Sequence, residues 1–147
     1  MSAVLPNIAN VGQNGEIVIM VNGYDIRECC TEDSISNNEN IQNVAFLIDS
    51  GYGSSWVAGM QKKINMTGKY VKGNAFCEWL NSVEDEIGAA RVTTCSLTRF
   101  GHTISGSVTL ENIVIGGGGA IDGAPISFTI AFNGKPTGAS GASGGGE

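Results

Sequence analysis

Charge is scarce in this chain, histidine is nearly absent, and no stretch stays apolar for long. Of its 147 residues 15 % are charged, and the one histidine is His102, in Arg99-Phe100-Gly101-His102-Thr103. A zinc site or a catalytic triad needs an imidazole with partners, and no second histidine exists to join it, so His102 is read as a turn or surface residue. None of the four cysteines forms a C-x-x-C pair, which argues against a metal centre. Gly116–Gly119 is followed by Ala120-Ile121-Asp122 and lacks the Lys-Ser/Thr of a phosphate loop; it precedes a strand, as a hairpin turn would. Glu84, Asp85 and Glu86 crowd what should be a helix C-terminus, but consecutive helical residues do not converge on one point. They read as solvated surface or a subunit contact. No catalytic, cofactor-binding or metal-binding set emerges, and the chain is not read as an enzyme.

Other absences bound the partners. No apolar run approaches the roughly 20 residues that span a bilayer. Met1 to Asn10 has neither the charged start nor the apolar stretch of a signal peptide, so synthesis in a cytosol is expected. Eight basic residues against fourteen acidic ones give a formal charge of −6, the wrong sign for gripping phosphates. The charges are unevenly placed. Residues 1–50 hold one base, Arg27, whereas residues 51–73 hold Lys62, Lys63, Lys69 and Lys72 and no acid. Solvated faces are the ordinary reading of such blocks; the sharper one is that acidic and basic surfaces of identical subunits meet.

What is present suffices for one domain with a single core: 41 % of residues are hydrophobic. Residues 1–14 read as an irregular arm. Glu16 to Cys29 reads as a hairpin, because Asn22-Gly23 stands between two β-rich runs and a type I′ turn needs positive φ at both central positions. Thr31–Asn40 is polar throughout and reads as a long loop, Gln42–Asp49 as a buried strand, and Ser50–Ser55 as a second flexible segment leading to Trp56. Lys62–Val71 alternates, with Ile64 and Met66 on one face. One helix is expected from Asn74 to Ile87, where Phe76, Trp79, Leu80, Val83 and Ile87 form an apolar stripe capped by Asn74 and ended at Gly88.

Strands follow at Arg91–Phe100, Thr103–Ile115 and Ile126–Phe132, with Gly106 a bulge or close approach. From Asn133 the Gly-, Ala- and Ser-rich chain reads as a mobile tail. About seven strands and one amphipathic helix make a mainly β fold: a β-sandwich or partly open barrel with the helix on its flank. Such a fold has edge strands that need protection or invite pairing with another chain. Cys29 and Cys30 should point to opposite faces, Cys77 lies beside the helix stripe, and Cys95 sits in the following strand. Four reduced, mostly buried thiols are the ordinary reading.

In order, these elements resemble the tail tube (major tail) proteins of long-tailed phages and contractile injection particles, over about residues 15–137. The resemblance rests on the early hairpin, the polar loop, the passage Phe46-Leu47-Ile48-Asp49-Ser50-Gly51 to Trp56, and Gly68-Lys69-Tyr70-Val71-Lys72-Gly73-Asn74-Ala75 leading into the helix. It rests also on the closing strand with its Gly134-Lys135-Pro136 ending. It implies a structural virion protein assembled in the host cytoplasm, with hexameric rings stacked into a tube and neighbouring strands joined in an inner barrel. Residues 1–14 would form a terminal arm and 138–147 a flexible tail. DNA would pass through without specific binding. Partners would be further copies, tail terminator and baseplate proteins, and a sheath if the tail contracts, towards which the lack of an appended domain tilts the reading.

On this reading Asp33, Asn38, Tyr52 and Trp56 are candidate inter-ring loop contacts. Cys29, Cys30, Cys77 and Cys95 are candidates for a disulfide between subunits, although four cysteines are not a family expectation. Acids should outnumber bases on the inner wall. The rival reading is a carbohydrate- or receptor-binding β-sandwich, with Tyr52 and Trp56 as its exposed aromatics.

Overall fold

A computed structural model describes residues 11–45 and 51–140. The early hairpin forms as its sequence requires: β1 (Val18–Val21) turns at Asn22 (φ 53°) and Gly23 (φ 82°) into β2 (Tyr24–Asp25). A 3-10 turn, Ile26–Glu28, starts on the Asp25 carboxylate, which accepts the Arg27 amide, and leads into β3 (Cys30–Ser36). The segment expected to be a polar loop is therefore largely a strand. β3 pairs with β6 (Lys63–Lys69), setting Asp33 opposite Met66 and Ile35 opposite Ile64. Its alternation was hidden because Ile35 is the one large apolar side chain on its inward face.

The buried strand expected at Gln42–Asp49 is also corrected. β4 (Asn40–Val44) lies earlier and has no buried residue, and among the described residues it pairs only with β5 (Ser54–Gly59), which begins inside the segment read as flexible. Phe46–Ser50 lie outside the described residues.

The helix, α1 (Ala75–Val83), is shorter than its stripe suggested. Asn74 caps it by accepting the Cys77 amide at 3.1 Å. Phe76, Cys77, Leu80 and Val83 are buried and Trp79 partly so, but Ile87 is 88 % exposed. The acids at 84–86 meet the negative pole of the helix dipole, which ends the helix before Ile87 can dock.

After α1 come β7 (Val92–Arg99), β8 (His102–Ile115), β9 (Pro125–Phe132) and β10 (Thr137–Ser140). β10 occupies part of the segment read as a tail and pairs with the start of β8. Gly106 is regularly paired with Cys95; the β8 irregularity lies between Glu111 and Val114, where Asn112 has φ 54°. The large sheet has the order β2-β1-β7-β8-β9-β6-β3, with β10 also on β8, and curls into a half-barrel. Mainly β with one flanking helix is thus the observed class.

The core lies between α1 and one face of this sheet. Phe76 packs on Phe128 with ring centroids 5.5 Å apart, and Tyr24 and Trp79 extend the cluster. Val108, Leu110, Ile126, Ile130, Phe132 and Ile64 floor it, each at most 1 % exposed. At about 25 cal/mol per Å² this apolar burial is the main source of the subunit's stability.

Candidate functional site

The opposite sheet face is polar and is not covered by α1. Register sets Thr129 of β9 between Glu111 of β8 and Asn65 of β6, and Ser127 opposite Thr67, while Ser105 and Ser107 of β8 lie opposite Ser96 and Thr94 of β7; Thr129 donates to Asn65 at 2.7 Å. The alternation that sends Ile64 and Met66 inward sends Lys63, Asn65, Thr67 and Lys69 to this side. Lys63 meets Glu111 across β9 in an ion pair of 3.2 Å.

Two sheet edges are open among the described residues. Beyond β3 no strand pairs, and β2 covers only Met20 and Val21 of β1. An uncovered edge presents unpaired N–H and C=O groups, a template for another chain.

The β4–β5 ribbon stands apart from the large sheet and is the most unusual surface. Its base is fixed: Gln61 N–H donates to Asn37 O (2.9 Å), the Asn38 amide to Gln61 O (3.0 Å), and Lys62 Nζ to Asn37 Oδ1 (2.6 Å). Asn38 takes φ 46°, a left-handed conformation that asparagine tolerates better than most residues. Beyond this base no other described residue covers the ribbon's apolar side chains. Ile41 is 51 % exposed, Trp56 55 % and Tyr52 79 %, with Val57 and Met60 also exposed. Ile41 and Val57 pair on one face of the ribbon and Trp56, opposite Gln42, lies on the other; a two-stranded hairpin alone is marginal in water, and exposed apolar groups on both its faces suit an interaction surface.

Of the residues singled out from sequence, Asn38, Tyr52 and Trp56 gather on this ribbon and its base. Asp33 does not. It faces inward on β3, where its carboxylate accepts the Asn14 side-chain amide at 2.8 Å beside a groove of about 360 Å³ lined also by Ile17, Ile26, Cys30 and Met66. Ile41 and Val57, paired across the ribbon, were not legible as partners beforehand, because neither strand has the alternation that signals one-sided burial.

The cysteines divide unequally. Cys29, Cys77 and Cys95 are buried, and Cys30 on edge strand β3 is half-buried. Burial pushes the Cys95 thiol up to about 12 and is the main cause raising Cys77 to about 11. Cys29 is raised first by hydrogen bonding with the Cys30 thiol and then by burial, and it also contacts Cys77. Gly68 makes this packing possible, since a Cβ there would stand 2.1 Å from Cys29 O. His102 is exposed at the start of β8. Among the described residues no group of three or more His, Cys, Asp or Glu side chains is placed to hold a metal ion, and no helix is long and apolar enough to cross a membrane.

The sequence matches no protein-family model, and comparison with curated proteins gives no match. Its fold, however, is found in solved assemblies. A chain in the tail of an empty gene transfer agent particle, determined by helical refinement with C6 symmetry, superposes with a TM-score of 0.70 at 13 % identity, covering 88 % of this chain and 100 % of that one. A chain of the native gene transfer agent virion gives 0.71 at 15 % identity, with the same coverage of both. A chain of the PVC sheath–tube complex, an extracellular contractile injection system in its extended state, gives 0.57 at 12 % identity, covering 90 % of this chain and 94 % of that one. The chain therefore has the tail tube-like fold of phage-type tails and contractile injection systems.

Proposed function

We propose that this chain is a tail tube subunit of a phage-type particle, whose copies close into rings, hexameric in the fullest form of the reading, that stack into a hollow tube. The observation that carries it is the β4–β5 ribbon: a pre-positioned hairpin whose exposed Ile41, Trp56 and Val57 no other described residue covers. Assembly supplies what it lacks. The open edge of β3 and the partly open β1 give each subunit two templates for pairing with neighbours, and ring closure removes both edges at once. Asn38, Tyr52 and Trp56 then serve as contacts between rings, and the sheath, terminator and baseplate proteins of the particle are the further partners. Cys30, on the open edge, is the thiol best placed to meet a neighbouring copy.

The polar sheet face is the surface suited to the channel wall. Its hydroxyls and the Lys63–Glu111 pair offer a passing polyanion few unpaired cations, so DNA slides without being held. This wall is near neutral, which modifies the expectation of a mainly acidic one.

Exposed Tyr52 and Trp56 are also what a glycan platform would use. The exposed aliphatic pair Ile41–Val57 on the same ribbon, which a glycan platform does not need, favours a protein partner. Electron microscopy of the concentrated chain, with and without cognate tail factors, tests the reading. Rings or tubes of uniform diameter are expected, and a Trp56→Ser, Ile41→Ser variant should keep its melting temperature but lose assembly. A strictly monomeric wild-type chain under every such condition would refute it.

A further inference from the structure

Three of the four thiols meet. Cys29 follows the 3-10 turn with φ −129° and ψ −15°, which is not extended backbone, so Cys29 and Cys30 do not alternate as consecutive strand residues would. Their thiols are hydrogen-bonded to each other instead of facing opposite sides, and the Cys29 thiol also reaches that of Cys77 in the first turn of α1. The backbone fixes the arrangement. Lys69 N–H donates to Cys29 O at 2.9 Å and Val71 N–H to Cys77 Sγ at 3.5 Å, so one short stretch of chain is pinned to both cysteines. Cys29 Sγ in turn donates to Ile26 O at 3.6 Å. Cys95 stands apart: burial alone acts on it, with no thiol beside it.

Access grades across the three. Cys77 is fully buried and Cys29 nearly so. Cys30 is half-buried on the open edge strand β3 and lines the groove of about 360 Å³ beside Asp33. A thiol reached through a groove therefore touches a buried thiol, which touches a second buried thiol. Packing alone does not call for sulfur at three neighbouring positions, since a free cysteine packs as a small hydrophobe and other small side chains fill such space. A line of sulfurs leading inward from a groove is what thiol–disulfide exchange uses.

We propose that Cys29 and Cys77 form a disulfide within the subunit under oxidising conditions, with Cys30 as the thiol through which oxidation enters. The oxidant is a small-molecule disulfide of the glutathione class. Cys30, as thiolate, attacks one of its sulfurs, releasing one small thiol and leaving a mixed disulfide on Cys30. Cys29 gives up its proton and attacks the Cys30 sulfur, expelling the second small thiol. Adjacent Cα atoms stand about 3.8 Å apart, below the roughly 4.4 Å of an unstrained disulfide, so a 29–30 bond does not last. Cys77 then loses its proton, attacks the Cys29 sulfur and returns Cys30 to a thiol. Over the sequence two protein thiols lose two electrons and two protons, and the small-molecule disulfide takes them up as two thiols.

The bond ties the 3-10 turn before β3 to α1 through the core and closes the loop of residues 29–77. Such a cross-link constrains the unfolded chain and raises the melting temperature. Reducing conditions keep it open and oxidising ones close it. The inference does not depend on the tube reading.

The test incubates the folded full-length chain with oxidised glutathione, blocks remaining thiols with iodoacetamide in denaturant, and locates them by tandem mass spectrometry, which distinguishes Cys29 from Cys30. The expected product is a monomer bridged from 29 to 77 with Cys30 and Cys95 alkylated. It should melt higher than the same chain reduced with dithiothreitol. Cys30→Ser, at a half-buried position, should keep the reduced melting temperature and slow the bridge by about tenfold or more. Cys77→Ala should stop at Cys30 bearing glutathione or at a 29–30 bond. A folded wild-type chain whose Cys29 and Cys77 both stay alkylatable would overturn the proposal, whether Cys30 is free, carries glutathione or links to another copy. So would a Cys30→Ser variant that bridges as fast as wild type.

Discussion

Arg91 should be the most consequential single charge in the subunit. The last carbonyls of a helix have no partners within it, and α1 has no basic residue in its last turn, only acids just beyond it. The Arg91 guanidinium supplies what is missing. Nε donates to Val83 O at 2.9 Å and Glu86 O at 3.0 Å, one terminal nitrogen donates to Glu84 O, and the other reaches Leu110 O on β8 at 3.0 Å. One side chain thus caps the helix, offsets three acids at its negative end and ties it to the sheet.

Arg91→Met keeps the aliphatic stem and removes the fork. The Glu86 carbonyl is exposed and regains water, so its loss costs little. Val83 O, Glu84 O and Leu110 O are partly buried, and leaving a buried acceptor unpaired costs about 1–3 kcal/mol. Water regains part of this, which puts the total at about 2–4 kcal/mol. For a chain of this size each kcal/mol shifts the melting temperature by about 2–4 °C. Arg91→Lys should recover little, because an ammonium cannot span four carbonyls as a planar fork does. Urea denaturation of the unassembled subunit measures it. A loss below about 0.5 kcal/mol for Arg91→Met, the range of ordinary surface changes, would refute the capping argument.

The aromatic cluster predicts a ranking. Phe76→Ala should cost about 3–5 kcal/mol, since the ring is 1 % exposed and touches Tyr24, Trp79 and Phe128. Trp79→Ala should cost less because Trp79 is only partly buried; equal losses in urea melts would show that the helix docks differently. The buried thiols predict an alkaline weakness. Their folded pKa values lie above the ordinary thiol value near 8.5, so their contribution is complete below that pH and is lost as pH rises towards about 11 for Cys77 and about 12 for Cys95. Melting temperature should fall over that range, and less steeply in a Cys77→Ala, Cys95→Ala variant; identical slopes would assign the loss to other groups.

Legibility in the sequence followed burial. The first hairpin was readable because Asn22-Gly23 has one favoured backbone solution, and β6 because Ile64 and Met66 alternate with polar neighbours above a real core. β3 was not, since its inward face holds a carboxylate, Asp33, satisfied by Asn14 from a distant part of the chain. The β7–β8 turn was placed one residue late, at Gly101-His102, because phenylalanine belongs to the vocabulary of strands. Arg91 was missed because its partners are carbonyls, which no residue type announces. Of the candidate site, two aromatics and Asn38 were legible as exposed features, whereas the hairpin that joins them was not.

That failure has a physical cause which bears on function. Periodicity records which side chains are buried when one chain folds alone, and the ribbon is not buried then. Its apolar residues alternate with nothing because no solvent-facing side needs to be distinguished from a core-facing one. The core, by contrast, is self-sufficient: among the described residues no buried side-chain nitrogen or oxygen lacks a partner. Folding can therefore finish before assembly begins. An apolar hairpin kept in water by a completed domain costs solubility and gains the subunit nothing. Its locked base at Asn37, Asn38 and Gln61 spends three hydrogen bonds holding it outward, where collapse onto the groove beside β3 would have hidden it. A ribbon held away from its own core makes sense as one half of a contact whose other half is another molecule.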